Sequence, residues 1–201
     1  MKENESSGCG HGAVIFDLDG TLTRPNLDFD LIRREIGVEG PILEALDALG
    51  PSARGRAEAI LVRHEDAAAR CAVLQRDAAD VVRACRAGGF PVAILTRNAR
   101  STVDIVLGQN GMAVDAVRSR EDGAIKPSPE QILSICRELN CDPRQSWMVG
   151  DYLFDIISGE EAGSRTILMI GDNLPPEYAA RADHVIRNLT ELLAIVGVAR
   201  A

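Results

Sequence analysis

The chain has 201 residues, 46% hydrophobic and 26% charged, with a formal net charge of -8 at pH 7. This length and balance suit one sizeable core, or one core with a small second unit. The acidic surplus disfavours nucleic acid and anionic membranes as main partners, because both demand a basic surface, and 3% aromatic residues leave little to stack on single strands. A small anionic substrate stays admissible, since a metal or a few cations reverse the field locally.

Residues 1–12 read as a polar tail. Cys9 and His11 in GCGHG lack two further ligands at zinc spacing. MKENESSGCG has no apolar signal-peptide core, and no apolar run reaches the ~18 residues of a membrane span. The five cysteines are odd in number and form no CxxC pair, which suits a reducing compartment. The expected location is the cytoplasm, as a monomer or homodimer.

The first predicted strand is Ala13–Asp17. From Arg24 to Arg76 only helical patterns follow, at Asp28–Ile36, at Pro41–Leu49 with Gly50 as its stop, and at Ala53–Leu74. Strands then alternate with helices. The strands are Pro91–Thr96, Ala113–Val117, Ser146–Gly150, Arg165–Ile170 and a weaker His184–Ile186. The helices are Ala78–Ala87 with Asp77 as N-cap, Ser101–Gln109 capped by Ser101, Pro129–Leu139, Asp155–Ala162 and Leu189–Val196. Such alternation predicts an α/β fold with a mainly parallel sheet. The division expected is a core of 13–23 and 77–201 with a helical lid over 24–76, inserted where ligand-lining loops lie in open α/β sheets.

Polar residues stand where these buried strands end. Asp17 and Asp19 close the first, Thr96 the second, and Asp151 and Asp155 follow the fourth; Lys126, one of only two lysines, follows the third. In a parallel sheet all these ends converge on one edge. Clustered carboxylates repel one another and shift toward protonation unless a cation sits among them. Oxygen-only ligands suit a hard ion such as Mg²⁺, and the lack of His or Cys argues against zinc. Lys126, Thr96 and backbone N–H groups near Gly20 and Arg97 add positive potential for an anion. The combination points to phosphoryl transfer. Asp17 can attack phosphorus and form an aspartyl-phosphate. Asp19, two residues on and on the same side of an extended chain, can move the proton.

DLDGTLT (Asp17–Thr23), ILTRN (Ile94–Asn98), IKPSPE (Ile125–Glu130) and GDYLFDI (Gly150–Ile156) resemble, in that order, the four motifs of the haloacid dehalogenase-like hydrolase superfamily. The helical segment between the first two is similar to the cap of its phosphoglycolate phosphatase and β-phosphoglucomutase branch. The resemblance implies a Rossmann-like three-layer α/β/α core with the first strand central, flanked by those ending at Thr96 and Asp151. It implies Asp17 as nucleophile and metal ligand, and Asp19 as acid/base with its carbonyl on the metal. It further implies Thr96 as phosphate donor, Lys126 as the residue orienting nucleophile and phosphate, and Asp151 and Asp155 as metal acids, with Mg²⁺ as cofactor. Arg97 stands where phosphatases often have Asn and adds charge near the phosphate, so Thr96, Arg97 and Lys126 form the expected substrate contacts.

Several related chemistries are set aside residue by residue. Dehalogenases resembling this chain lack an acid at the Asp19 position, and phosphonatases need a cap lysine that Arg24–Arg76 does not contain. The expected function is therefore a Mg²⁺-dependent phosphatase acting on a small phosphorylated metabolite. A sugar phosphomutase is the enzymatic rival. A phospho-receiver domain has a similar cluster in a different chain order, and a catalytically dead binding protein would not keep Asp17, Asp19, Lys126 and Asp151 intact. In the cap, Arg33, Arg34, Arg54, Arg56, Arg63, His64 and Arg70 can grip a carboxylate or sugar hydroxyl, though solvated helix faces with i,i+4 partners are the commoner explanation.

Overall fold

The computed structural model describes residues 12–199, so Cys9 and His11 lie outside the described residues. Six strands form one sheet: β1 (Val14–Phe16), β2 (Val92–Leu95), β3 (Ala116–Arg118), β4 (Trp147–Gly150), β5 (Arg165–Met169) and β6 (His184–Ile186). Their order is β3-β2-β1-β4-β5-β6 and every pair is parallel. β1 is central, between β2 and β4, with Phe16 opposite Ile94 on one side and Val149 on the other.

The period of two along each strand divides the core. Val14, Phe16, Val92, Ile94, Trp147 and Val149 face one apolar cluster. It is completed by α4 (Ala78–Ala87), α5 (Arg100–Asn110) and α8 (Thr190–Val196). Ile15, Ala93, Leu95 and Met148 face the other, against α6 (Glu130–Glu138) and the end of α7 (Leu153–Ala162). Strands buried on both faces explain the continuous apolar runs VIF, VAIL and WMV. The expected three-layer α/β/α architecture is the one observed.

Between β1 and α4 lie α1 (Phe29–Ile36), α2 (Ile42–Asp47) and α3 (Pro51–Arg70). They share a small cluster of their own, with Ile32, Ile42, Leu46, Ala57 and Leu61 buried. The two chains that join this insert to the sheet pair with each other. Arg24 N–H donates to the Val73 carbonyl and Gln75 N–H to that of Leu22, both at 2.8 Å.

Several expected boundaries moved. α3 stops at Arg70, short of Leu74, because Leu74 bridges antiparallel to Thr23 in that neck. Gly50 stops nothing; α2 ends at Asp47 and Gly50 occupies the N-cap of α3. Asp77 precedes α4 in a left-handed conformation, φ 63°, and its side chain caps no N–H. Ser101 lies inside α5 and donates to Asp66 Oδ1 at 2.9 Å instead of capping. β3 is shifted to Ala116–Arg118, since the Asp115 carboxylate accepts from Val92 N–H and Arg86. Gly12, placed in the tail from sequence, lies close against the Gln145–Ser146 backbone.

Candidate active site

The C-terminal ends of β1, β2 and β4 carry Asp17, Thr96 and Asp151 on one edge of the sheet. Lys126 reaches this edge from the loop before α6. Its Nζ donates to Asp17 Oδ1 at 2.6 Å and to Asp155 Oδ1 at 2.5 Å, and the lysine is only 3% exposed. Asp155 sits in the first turn of α7, where its Oδ2 accepts the Tyr152 N–H at 3.0 Å. The carboxylate thus caps the helix with one oxygen and holds Lys126 with the other, favoured by the positive end of the helix.

Oxygens of Asp17, Asp151 and Asp155 lie within 4.8 Å of one another. Two glycines make room for them. A Cβ on Gly150 would fall 2.1 Å from the Asp155 carboxyl carbon. One on Gly20, whose φ of +83° already suits glycine, would fall 2.0 Å from Asp151 Oδ2. Glycine in DLDGTLT and in VGDY is therefore a clearance requirement of the carboxylates.

The electrostatics are incomplete without a cation. Burial, aided by repulsion from Asp155, pushes the Asp151 carboxyl up to about 7. Burial likewise raises Asp17, with Lys126 pulling the other way and Asp155 and Asp151 adding to the rise. Burial alone would lower the Lys126 ammonium, but Asp155 and Asp17 outweigh it and hold it above the usual lysine range. With all three ionised, these carboxylates face one ammonium and leave about two negative charges uncompensated, which adds to burial in favouring the protonated forms of Asp17 and Asp151. An all-oxygen donor set with that surplus fits a hard divalent cation.

Asp19 stands apart from this trio. Its Oδ1 accepts from Thr23 Oγ1 at 3.1 Å and its Oδ2 from Asn98 Nδ2. Thr96 is 2% exposed, and its Oγ1 accepts the Asn98 N–H at 3.2 Å. Arg97 does not reach into the acid cluster through any hydrogen bond. Its Nη1 donates to the Lys126 carbonyl at 3.0 Å and its Nη2 to both oxygens of Glu44 on α2 at 2.7 Å, while the guanidinium lies 4.6 Å over the Phe154 ring.

Most of the residues singled out from sequence in the helical insert pair within the insert itself. Arg33 binds Asp30, Arg54 binds Asp47 and Glu58, Arg56 binds Ser52, and Arg63 and His64 both meet Glu35. Sequence reasoning missed Asn98, Glu44, Glu65 and Phe154. Glu65, on α3, is 3% exposed and takes Arg120 Nη1 at 2.6 and 2.8 Å and the Ala99 N–H at 3.3 Å. Burial raises its carboxyl against the pull of Arg120. Only Asn98 left a signal, as the polar residue two beyond Thr96.

Comparison with known proteins agrees with this geometry. A family model described as haloacid dehalogenase-like hydrolase matches residues 11–163. An uncharacterised hydrolase of Saccharomyces cerevisiae is 30% identical over 197 residues, 92% of this chain and 90% of that one. The N-acetylmuramic acid 6-phosphate phosphatase of Pseudomonas putida is 28% identical over 218 residues, covering 92% and 95%. Among solved structures, a predicted phosphoglycolate phosphatase of Haemophilus somnus 129PT superposes with a TM-score of 0.72 at 18% identity, covering 92% of this chain and 97% of that chain. With the motifs assembled on one sheet edge and the family model spanning most of its length, the chain belongs to the haloacid dehalogenase-like hydrolases.

Proposed function

We propose that the protein is a Mg²⁺-dependent phosphomonoesterase that works through an aspartyl-phosphate on Asp17, with residues 24–76 as its cap and the cytoplasm as its location. One observation carries the mechanism: Lys126 grips one oxygen of Asp17 at 2.6 Å within a cluster of buried acids. That contact fixes the carboxylate and leaves its second oxygen to attack phosphorus. The bond from phosphorus to the ester oxygen breaks, and Asp19 gives its proton to the departing alkoxide. Asp19 then takes a proton from water, whose oxygen attacks phosphorus and frees Asp17 and inorganic phosphate. Thr96 and Lys126 hold the phosphate oxygens in both steps. Asp17, Asp151, Asp155 and the Asp19 carbonyl would hold Mg²⁺, which supplies charge compensation for the phosphate when bound.

The relatives' names support a small phosphorylated substrate without choosing one. The cytoplasmic reading is supported by cysteines that form no disulfide among the described residues, and no described helix is long and apolar enough to cross a membrane. Purified protein with Mg²⁺ is expected to release phosphate from phenyl phosphate, and Asp17→Asn to reduce the rate by at least ~10³-fold. Undiminished turnover in that variant would overturn the nucleophile. A sugar 1-phosphate should yield free phosphate; an isomerised sugar phosphate would mean a mutase.

A further inference from the structure

The Asp19 carboxylate is half-buried, and two side chains hold it. Thr23 Oγ1 lies 3.1 Å from Asp19 Oδ1 and 3.2 Å from the Leu18 carbonyl. A hydroxyl carries one proton, so Thr23 donates to only one of these acceptors at a time. Asn98 is a different partner. Its Nδ2 can only donate, and it meets Asp19 Oδ2 across 79 residues of chain. Among the described residues, Asp19 Oδ2 is the one acceptor of that amide.

The backbone around Asn98 is clamped at three successive residues. Arg120 Nη1 donates to the Arg97 carbonyl at 3.4 Å, the Arg120 N–H to the Asn98 carbonyl at 3.1 Å, and the Ala99 N–H to Glu65 Oε2 at 3.3 Å. The Asn98 N–H adds a bond to Thr96 Oγ1 at 3.2 Å. Arg120 and Glu65 also bind each other, and both are largely buried. Stability alone does not call for a buried ion pair at this place, since apolar residues of similar volume serve as well. What the pair does here is fix the loop whose side chain holds Asp19.

Resting on the reading of Asp19 as the acid that protonates the departing alkoxide, we propose that Asn98 is a positioning residue for that acid. Its amide fixes the rotamer of the Asp19 carboxyl, and Arg120 with Glu65 fixes Asn98 in turn. General acid catalysis depends on such a hold, because the carboxyl must stand within hydrogen-bond reach of the ester oxygen. Glu65 belongs to α3, so the insert contributes to the chemical step through a line of contacts that runs from Glu65 to the 97–99 loop and from Asn98 to Asp19.

The test compares 4-nitrophenyl phosphate, whose phenolate departs with little help, with benzyl phosphate, whose alkoxide needs a proton. With Mg²⁺ present, kcat/KM covers the steps through formation of the aspartyl-phosphate. Its ratio between the two esters therefore reports the acid and is immune to partial loss of folded protein. Asp19→Asn should lose at least ~10²-fold more on benzyl phosphate than on 4-nitrophenyl phosphate. Asn98→Ala should show the same bias at about tenfold, and so should Asn98→Leu, which refills the volume without a donor. A ratio within about threefold of wild type in either Asn98 variant overturns the positioning role while the acid stands. If Asp19→Asn shows no bias, or if wild-type protein hydrolyses neither ester, the underlying reading fails and takes the proposal with it. Crystal structures of wild type and Asn98→Ala without substrate read the contact apart from turnover. The Asp19 carboxylate should leave its place in the variant, and an unmoved carboxylate overturns the proposal.

Discussion

At the scale of single residues, the site is a balance of charges that the chain leaves unfinished. Asp151, pushed up to about 7 by burial and by Asp155, holds a proton in the folded state under conditions where the unfolded chain has released it. Its contribution to stability is therefore full below the ordinary aspartate value and lost as pH rises through about 7. Asp17, also raised, acts in the same direction. Metal-free protein should melt at lower temperature at pH 8 than at pH 5, by on the order of 5 °C. Because a cation takes the deprotonated carboxylates, Mg²⁺ should restore more stability at pH 8 than at pH 5. Thermal melts with EDTA or Mg²⁺ at the two pH values check both signs, and an equal Mg²⁺ effect at both would contradict the charge deficit. The acids themselves were legible in the sequence because polar residues at the end of VIF and WMVG break a buried pattern. The different settings of Asp17 and Asp19 were not: spacing put them on one side of the chain, while Thr23 and Asn98 turn the Asp19 carboxylate to partners of its own.

At the scale of elements, two ion pairs join the insert to the core, and their burial separates their effects. Arg120 and Glu65, with side chains 14% and 3% exposed, form a buried tie that also satisfies the Ala99 N–H. Truncating Glu65 to Ala strands a guanidinium and a backbone donor, so a cost of about 3–5 kcal/mol is expected. Glu44, with its side chain 45% exposed, makes the other tie, to Arg97. Glu44→Ala should cost under about 1 kcal/mol. Urea unfolding of the two variants checks the contrast; equal midpoints would mean that α3 is not anchored through Glu65. Helical periodicity found α1, α2 and α3, but it assigned Glu65 no role. A helix face reads as solvent-facing or core-facing only once its neighbour is known, and that neighbour, α5, lies some 35 residues on in the chain. The end of α3 was misjudged for a related reason. Pairing of Leu74 with Thr23 is a long-range contact, and it overrides the local helical preference of the segment before it.

For the whole molecule, sheet order is what turns four scattered motifs into one site. With β1 central, Asp17 has the β2 and β4 ends on either side, an arrangement that the resemblance of the four motifs to the family's had implied. The insert, in contrast, does not hang as one uniform lid. The C-terminal half of α3 belongs energetically to the core: Ala69 joins the main apolar cluster, Glu65 binds Arg120 and Ala99, and Asp66 binds Ser101. α1 and α2 have only the small cluster around Ile32, Ile42 and Leu46, with Phe29 and Leu31 half exposed, and the Glu44 tie at the surface. Local opening free energy follows buried contact, so these two helices should open without α3. Native-state hydrogen exchange is expected to show amides of Ile32–Ile36 and Leu46 exchanging through an opening several kcal/mol below global unfolding, while Asp66–Arg70 exchange close to the global limit. Access to Asp17 would then be governed by α1 and α2 moving on a fixed α3. Exchange of all three helices in one step would instead make the whole insert the moving unit, hinged at Thr23–Arg24 and Leu74–Gln75.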